Sequence, residues 1–286
     1  MLLNPFTFHA PTSAIEAAKL YAELTGNARF QAGGTFLLNA LKTMKKKGSK
    51  TPEHIISLKN VPELRGINME SNALVIRAMT TIDEVFESAL LKDNFTVLKI
   101  VCRNISTQPI RNVATVGGNL TCRYTWTEMP AVMIGLNAAM HFMDAQGNAS
   151  SMPAEEFFKN AAKTDKIFTH ITIPQDKKCT IAYRRVKKTQ FVDIPLLSLM
   201  INTTFEGGRF TKTRVSVNNC VAFAQRDNKL EEFLNNGRCS DAIAQEALDH
   251  LTTEIYDTRS GDYKKQMFRV SIKNAIKELV ETGTKS

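Results

Sequence analysis

The chain has 286 residues, of which 43% are hydrophobic and 23% are charged, so it can fold around a substantial core in one or two domains. No stretch has the apolar length of a membrane span, and the residues from Met1 to His9 lack the pattern of a secretion signal, so we expect a cytoplasmic protein. The five cysteines form no Cys-x-x-Cys pair, and the net charge of +9 comes with no nucleic-acid-binding signature, which disfavours a disulfide framework, a metal site and a nucleic-acid partner.

The first third of the sequence alternates between predicted strands and helices. Ser13 to Glu16 has the spacing of a capping box and begins a helix with an apolar face. A short strand over 29–32 leads into paired glycines, and a second helix begins at Leu37. A further strand is predicted over 54–58.

The middle of the sequence forms a second α+β unit. A strand is predicted over 74–78, where apolar residues alternate. Thr81 to Glu84 repeats the capping-box spacing at the start of a helix. Another helix is expected from about residue 95 to 105.

The composition shifts after Pro174, and the last part of the chain predicts three strands followed by helices. The strands are expected at 180–186, 196–205 and 210–220, and the helices at 229–234, 240–252 and 263–281. We therefore expect a domain boundary near residue 176.

Two glycine pairs are the most informative feature of the chain. One lies in Ala32-Gly33-Gly34-Thr35, after a predicted strand and before a helix, and the other in the run from Ile110 to Asn119. Adjacent glycines let backbone NH groups approach an anion, so two such loops suit a diphosphate, although each pair taken alone is more typical of an ordinary turn. Neither pair fits the Rossmann or P-loop pattern of nucleotide binding.

Positive charge is concentrated in two clusters. Lys45 to Lys47 follow an apolar helical pattern and precede Gly48, where cations complement a helix carboxyl end. The second cluster runs from Arg184 to Lys188. An acidic partner subunit or a polyphosphate cofactor would account for this charge.

These residues resemble a known family, the FAD-binding medium subunits of the molybdenum hydroxylases, which include xanthine, carbon monoxide and nicotinate dehydrogenases. The family's paired flavin signatures are similar to Ala32-Gly33-Gly34-Thr35 and to Ile110-Arg111-Asn112-x-Ala114-Thr115-x-Gly117-Gly118-Asn119. The resemblance extends over essentially the whole chain, through Phe8 to Ser13, Leu64 to Ile67 and the stretch from Tyr183 to Pro195.

The resemblance implies an α+β fold. It comprises a two-subdomain FAD module like that of vanillyl-alcohol oxidase, with subdomains over about 1–58 and 59–176. A carboxyl-terminal domain over 177–286 then has a three-stranded antiparallel sheet and a helical bundle, as in carbon monoxide dehydrogenase flavoproteins.

The resemblance also implies cofactor-binding positions. The first loop would wrap the FAD pyrophosphate with its backbone NH groups, and the second would lie on the opposite side. These two sets are Phe30, Gln31, Ala32, Gly33, Gly34, Thr35, Phe36 and Leu37, and then Thr115, Val116, Gly117, Gly118 and Asn119.

Four further positions are implied nearby. Glu128 stands in the place of a family aspartate that binds the cofactor, and Phe168 resembles the apolar position beside the flavin ring. Arg184 stands where the family has a cation or polar group, which would raise the flavin potential, and Ile105 where some relatives have an aromatic residue.

The sequence departs from the family pattern at two places. Phe36 replaces a polar residue, so that either it packs inward or one polar contact to the cofactor is missing. The aromatic stretch from Arg123 to Trp126 replaces small residues and could line the ring, or Trp126 could be a core residue.

The implied function is electron transfer within a larger complex. FAD would be held without a covalent bond, no residue of this chain would be catalytic, and the molybdenum cofactor and 2Fe-2S clusters would lie on large and small partner subunits. The external acceptor would be NAD, ferredoxin, quinone or oxygen. The sequence of this chain does not identify the substrate. Two alternatives remain open: a stand-alone flavin oxidase, and a cofactor-free interaction subunit.

The histidines are interpreted as isolated surface or structural residues rather than ligands or flavin attachment points. They are His9, His54, His141, His170 and His250.

Overall fold

The computed structural model describes residues 3–24, 26–122, 127–160, 165–189, 192, 194–219, 223–257 and 261–284. Their strands form three sheets, and the buried apolar residues form three core clusters. This confirms the α+β class. Within these ranges no helix combines the length and apolar character needed to cross a bilayer.

The first sheet has three parallel strands and alternates with helices as the sequence predicts. Along the chain the elements are β1 (Thr7–His9), α1 (Ala14–Glu23), β2 (Ala28–Gln31), α2 (Leu37–Lys46) and β3 (His54–Ser57). The strand order is β1-β3-β2. Because β2 ends at Gln31 and α2 starts at Leu37, the first glycine pair lies on a loop from a strand end to a helix amino end.

The second sheet has five antiparallel strands in the order β4-β5-β8-β6-β7. The strands are β4 (Ile67–Glu70), β5 (Ala73–Arg77), β6 (Ala139–Met143), β7 (Ala149–Pro153) and β8 (Ile167–Pro174). The associated helices are α3 (Ile82–Glu87), α4 (Thr96–Asn104), α5 (Gln108–Arg111), α6 (Val116–Thr121), α7 (Met129–Gly135) and α8 (Ala154–Lys159), with 3-10 turns at Pro62–Leu64 and Asp93–Phe95.

Both predicted capping sites are present, but only one is a complete capping box. Thr81 accepts from the Glu84 NH while Glu84 accepts from the Thr81 NH. At α1, Ser13 accepts from the Glu16 NH, whereas the Glu16 carboxylate accepts from the NH of Thr12. The sequence spacing therefore located both helix starts.

The third sheet has four antiparallel strands, so the prediction of three is wrong. The strands are β9 (Thr180–Lys187), β10 (Pro195–Glu206), β11 (Arg209–Asn218) and β12 (Gln225–Arg226), in the order β12-β11-β10-β9. The additional strand has only two residues, which is too short to produce an alternating apolar pattern.

The helices that follow differ from the sequence prediction at one point. They are α9 (Asn228–Asn236), α10 (Ile243–Glu246), a 3-10 turn at Ala247–Asp249, α11 (Thr253–Tyr256) and α12 (Asp262–Gly283). The predicted continuous helix over 240–252 is therefore wrong, since the chain turns before Thr252. Asp227 explains this turn.

Asp227 is completely buried and accepts four hydrogen bonds from three residues. Its carboxylate caps α9 at the NH of Leu230, binds both the NH and the hydroxyl of Thr252, and accepts from the Tyr256 hydroxyl at 2.9 Å. The carboxylate thus fixes the direction of the chain between the 3-10 turn and α11.

Helix α7 joins the second and third sheets. All seven of its residues are buried. A Cβ added at Gly135 would lie 2.7 Å from the Ser216 Oγ and 2.9 Å from the Met200 Sδ, so only glycine permits this close approach to β10 and β11. The Gly135 carbonyl accepts from the Asn202 amide at 3.1 Å.

Four of the five histidines form pairs, which corrects the expectation that they are isolated. His9 and His54 share a hydrogen bond of 3.2 Å between neighbouring strands. His141 and His170 lie directly opposite each other on β6 and β8, and their rings stack at 4.2 Å with an angle of 8°. The remaining histidine, His250, stacks on Phe233. Strand register, which the sequence does not state, creates these pairs.

We expect replacement of Asp227 by alanine to destabilise the protein by about 3 kcal/mol or more, because four donors would lose their buried acceptor. Urea denaturation at neutral pH measures this loss. Asp241→Ala, at an exposed position, is the control and should change stability by less than about 0.5 kcal/mol. Equal stability of the two variants would contradict the organising role of Asp227.

We expect the stacked histidine pair to make the protein less stable as the pH falls from 6.5 towards 4. Burial, with a smaller contribution from His141, lowers the pKa of His170 from 6.5 to about 4. The unfolded chain therefore binds a proton in this window that the folded chain excludes, and stability falls with decreasing pH.

Denaturation measured across this pH range tests the expectation. His170→Gln should flatten the pH dependence, whereas Ile171→Val, a buried change on the same strand, should lower stability at every pH without changing the slope. An unchanged slope in His170→Gln would refute the assignment.

Candidate functional site

The two glycine loops contact each other through their backbones. A Cβ added at Gly33 would lie 1.8 Å from the Val113 carbonyl oxygen, and one added at Gly118 would lie 3.6 Å from the Cβ of Ala32. A side chain at Gly33 is therefore sterically excluded. The contact brings the loop between β2 and α2 against the segment between α5 and α6.

The first loop offers free backbone donors. Within the described part of the chain, the NH groups of Gly33, Gly34 and Thr35 have no hydrogen-bond partner. Gly34 has a φ of +72°, which lets successive NH groups converge. Helix α2 begins two residues later without a side-chain cap, so its positive dipole end adds to the same place. This loop has the structure of an anion cradle.

The second loop does not offer such donors, so the expectation of a second backbone cradle is wrong. The NH groups of Val116 and Gly117 donate to the carbonyls of Thr80 and Ala78, at 2.9 and 2.8 Å. Those of Gly118 and Asn119 donate to the hydroxyl and carbonyl of Thr115. These glycines instead allow close packing, since a Cβ at Gly117 would lie 2.7 Å from the Ala78 oxygen.

Asn119 is the polar group that the second loop contributes. Its side-chain Oδ1 is buried and has no hydrogen-bond partner among the described residues, although Asn119 lines the cavity described below. A buried polar atom without a partner costs about 1–3 kcal/mol, so a ligand donor at this point would recover that energy.

A cavity of about 510 Å³ lies along the two loops, within the usual range for small-molecule and cofactor sites. The ionisable groups on its wall are Arg29 and Lys166, together with Tyr21 and Cys122, and no carboxylate lies among the described lining residues. The cavity therefore favours an anionic ligand.

Aromatic rings form much of the apolar wall. Tyr21 and Phe30 stack at 4.5 Å, and Phe142 lies 5.5 Å from both Phe157 and Phe168. Such surfaces suit flat ring systems. The cavity thus combines an anion cradle, positive side chains, an unpartnered amide and aromatic walls.

Most of the predicted binding residues line this cavity. They are Phe30, Ala32, Gly33, Gly34, Thr35, Phe36, Leu37, Thr115, Gly117, Gly118, Asn119 and Phe168. Gln31 and Val116 adjoin the loops but are not part of the wall. Phe36 is 40% exposed and lies at the rim, so it does not pack inward.

Glu128 is not among the described residues of the cavity wall, although the preceding Thr127 is. Its carboxylate forms an ion pair with Arg185 and accepts from the Tyr183 hydroxyl at 2.9 Å. Burial raises the pKa of Glu128, and Arg185 opposes that shift. Burial also raises the pKa of Tyr183. These contacts tie the start of α7 to β9, and the implied cofactor role of Glu128 stays a prediction.

Arg184 and Ile105 also lie outside the wall. The Arg184 guanidinium pairs with Glu278 of α12 and donates to the Asn274 carbonyl at 3.1 Å. Ile105 follows α4 and packs against the core of the second sheet. The stretch 123–126 lies outside the described residues.

Several wall residues were not predicted from the sequence. Arg29 directly precedes Phe30 on β2, so its nearness to the loop could have been noticed. Phe142, Phe157 and Lys166 come from distant parts of the chain, and only the order of strands in the second sheet brings them to the loops.

Comparison with known proteins identifies the family. The family model described as "FAD binding domain in molybdopterin dehydrogenase" matches residues 4–176. The chain belongs to this family. Its relatives are flavin subunits of oxidoreductases, so the chain is an oxidoreductase subunit whose family cofactor is FAD.

Similar proteins cover nearly the whole chain. The carbon monoxide dehydrogenase medium chain of Hydrogenophaga pseudoflava is 27% identical over 96% of this chain and 97% of its own length. The xanthine dehydrogenase FAD-binding subunit of Escherichia coli O157:H7 is 22% identical over 96% of each. A solved structure of the Hydrogenophaga pseudoflava enzyme matches with a TM-score of 0.88 and 26% identity, over 96% of this chain and 97% of the other. The resemblance inferred from the glycine signatures is thereby confirmed.

We expect Gly33→Ala to destabilise the cofactor-free protein by about 2 kcal/mol or more, because the new Cβ would force the loops apart. Gly34→Ala should cost only about 1–2 kcal/mol, from its positive φ, since the nearest atom is a flexible Gln31 side chain at 3.1 Å. Thermal unfolding measures both changes.

Gly26→Ala is the matched control, because Gly26 has a φ of +81° and open space around it. The stability lost in Gly26→Ala should be similar to that lost in Gly34→Ala. If all three variants unfolded at the same temperature, the Gly33 contact would not be the constraint that holds the loops together.

Proposed function

We propose that this chain binds FAD in the cavity along the two glycine loops and serves as the electron-transferring subunit of a molybdenum-dependent dehydrogenase. The observation that carries the proposal is the anion cradle with the free NH groups of Gly33 to Thr35, beside a cavity with cations and no described carboxylate. The diphosphate of FAD suits such a cradle, and its flat rings suit the aromatic walls.

Different residues of the cavity would bind different parts of the cofactor. The NH groups of the first loop and the amino end of α2 would hold the pyrophosphate, with Arg29 and Lys166 supplying positive charge. Asn119 would accept a hydrogen bond from a hydroxyl or NH of the cofactor. The aromatic walls would exclude water from its flat rings. We propose that these contacts alone hold the cofactor, without a covalent bond.

FAD, when bound, links one-electron donors to two-electron acceptors. We therefore propose that electrons arrive from an iron–sulfur subunit, after substrate oxidation at a molybdenum cofactor in a large subunit, and leave to NAD, ferredoxin, quinone or oxygen. The names of the similar proteins, which include medium chains and FAD-binding subunits, support this arrangement.

We also propose a division into an FAD module over 1–176, with subdomains over about 1–58 and 59–176, and a carboxyl-terminal domain over 177–286. The three sheets lie within these three ranges. The Glu128 pair with Arg185 and the buried helix α7 would then hold the module and the last domain together.

We expect Asn119→Ala to weaken FAD binding about tenfold, because one hydrogen bond to the cofactor is lost. Titration of FAD-free protein, followed by quenching of flavin fluorescence, gives the dissociation constant. Asn274→Ala, at an exposed position on α12, is the control and should bind as the parent protein does.

Two results would overturn the proposal. A purified parent protein that takes up no FAD would favour the cofactor-free interaction subunit. Substrate turnover by this polypeptide without partners would favour the stand-alone flavin oxidase.

A further inference from the structure

The net charge of the protein is confined to two segments of its sequence. Residues 24–52 and 94–127 contain ten of the 37 lysines and arginines and none of the 28 aspartates and glutamates. The remaining 223 residues hold 27 basic and 28 acidic side chains and are almost neutral. These two acid-free segments are the ones that carry the glycine loops.

The fold brings the two acid-free segments together. Gly33 belongs to the first and Val113 to the second, and their backbones are in contact. Within the cavity, a bound diphosphate would neutralise charge near Arg29. Lys42, Lys46 and Lys47 are exposed and are not part of the cavity wall. A ligand in the cavity would therefore leave their charge unpaired, which favours an acidic partner on the protein surface.

The helices of these segments leave apolar side chains in solvent. In α2 only Leu41 is buried, and Leu38 is 44% exposed. In α5 no residue is buried, and Ile110 is 39% exposed. Val113, two residues after α5, is 48% exposed. Single exposed apolar residues are ordinary, but here five lie on adjoining segments that share one sign of charge. They are Phe36, Leu38, Ile100, Ile110 and Val113.

We propose that this acid-free surface, defined by Leu38, Ile110 and Val113 with Lys42, Lys46 and Lys47, docks the acidic face of the iron–sulfur subunit. The proposal rests on the proposed function, because it names the partner of the same site. An apolar centre with a charged margin is the usual composition of a protein interface. The cations would guide the partner to the side of the molecule where the loops meet.

The charge argues against other occupants. A second copy of this chain would present the same cations and be repelled. A nucleic acid would be held through phosphates and would leave the apolar residues exposed to solvent. Both are outcomes that the experiment below distinguishes.

The test uses the whole complex, obtained by producing the chain together with its iron–sulfur and large subunits. The iron–sulfur subunit is then isolated, immobilised and used as the probe in a biosensor with FAD-loaded chain. Lys42→Gln, Lys46→Gln and Lys47→Gln combined should slow association about tenfold at low salt and much less at high salt, where screening removes the attraction. Leu38→Gln should speed dissociation about tenfold.

Matched controls lie on α12. Tyr263→Gln removes an apolar side chain that is 67% exposed, and Lys277→Gln removes an exposed cation. Neither should alter association or dissociation. FAD content, read from the visible spectrum, should be equal in all variants, because none of the substituted residues lines the cavity.

The proposal is overturned if the acid-free surface variants and the controls bind the iron–sulfur subunit alike. It is also overturned if the lysine variant keeps that partner but loses binding of single-stranded RNA, or changes only the self-association of the chain. Loss of FAD from the parent protein would instead refute the proposed function, so the two failures are distinguishable.

Discussion

The structure depends on a backbone contact between two loops, at Gly33 and Val113, that are eighty residues apart in the sequence. Gly33 approaches the Val113 carbonyl so closely that no side chain fits between them. This contact sets the first sheet against the second unit and forms the cavity along their junction. The free NH groups of the first loop are useful only because the second loop closes the site beside them.

The glycine signatures lie on the cavity wall, but they did not predict how each loop uses its NH groups. Both pairs resemble phosphate cradles in sequence, yet only the first keeps its NH groups free. In the second, Thr80, Ala78 and Thr115 accept those bonds, and these acceptors come from the end of β5 and from the cap of α6. A pair of glycines in the sequence shows that the backbone there carries no side chains. Which acceptors its NH groups bind depends on the tertiary structure.

The same limit explains the differences between prediction and structure after the third sheet and at the cavity wall. Strands and helices with clear periodicity, such as β10, β11 and α12, lie close to their predicted bounds. The break before Thr252 depends on Asp227, and the position of Glu128 depends on Arg185 of β9. Both are long-range contacts of buried charges. The resemblance to a family placed Glu128 and Arg184 at the cofactor, but here each has an ion-pair partner elsewhere.

The basic residues of the acid-free segments lie both in the cavity and on the protein surface. The acid-free segments supply Arg29 to the cavity and the lysines of α2 to the surface. At physiological salt, charges farther apart than about 8 Å are largely screened from each other. A bound diphosphate would therefore neutralise the cavity but leave the far end of α2, roughly 15 Å along a ten-residue helix, positively charged. The protein would keep its attraction for an acidic partner after the cofactor is in place, so cofactor binding and partner docking need not compete for the same cations.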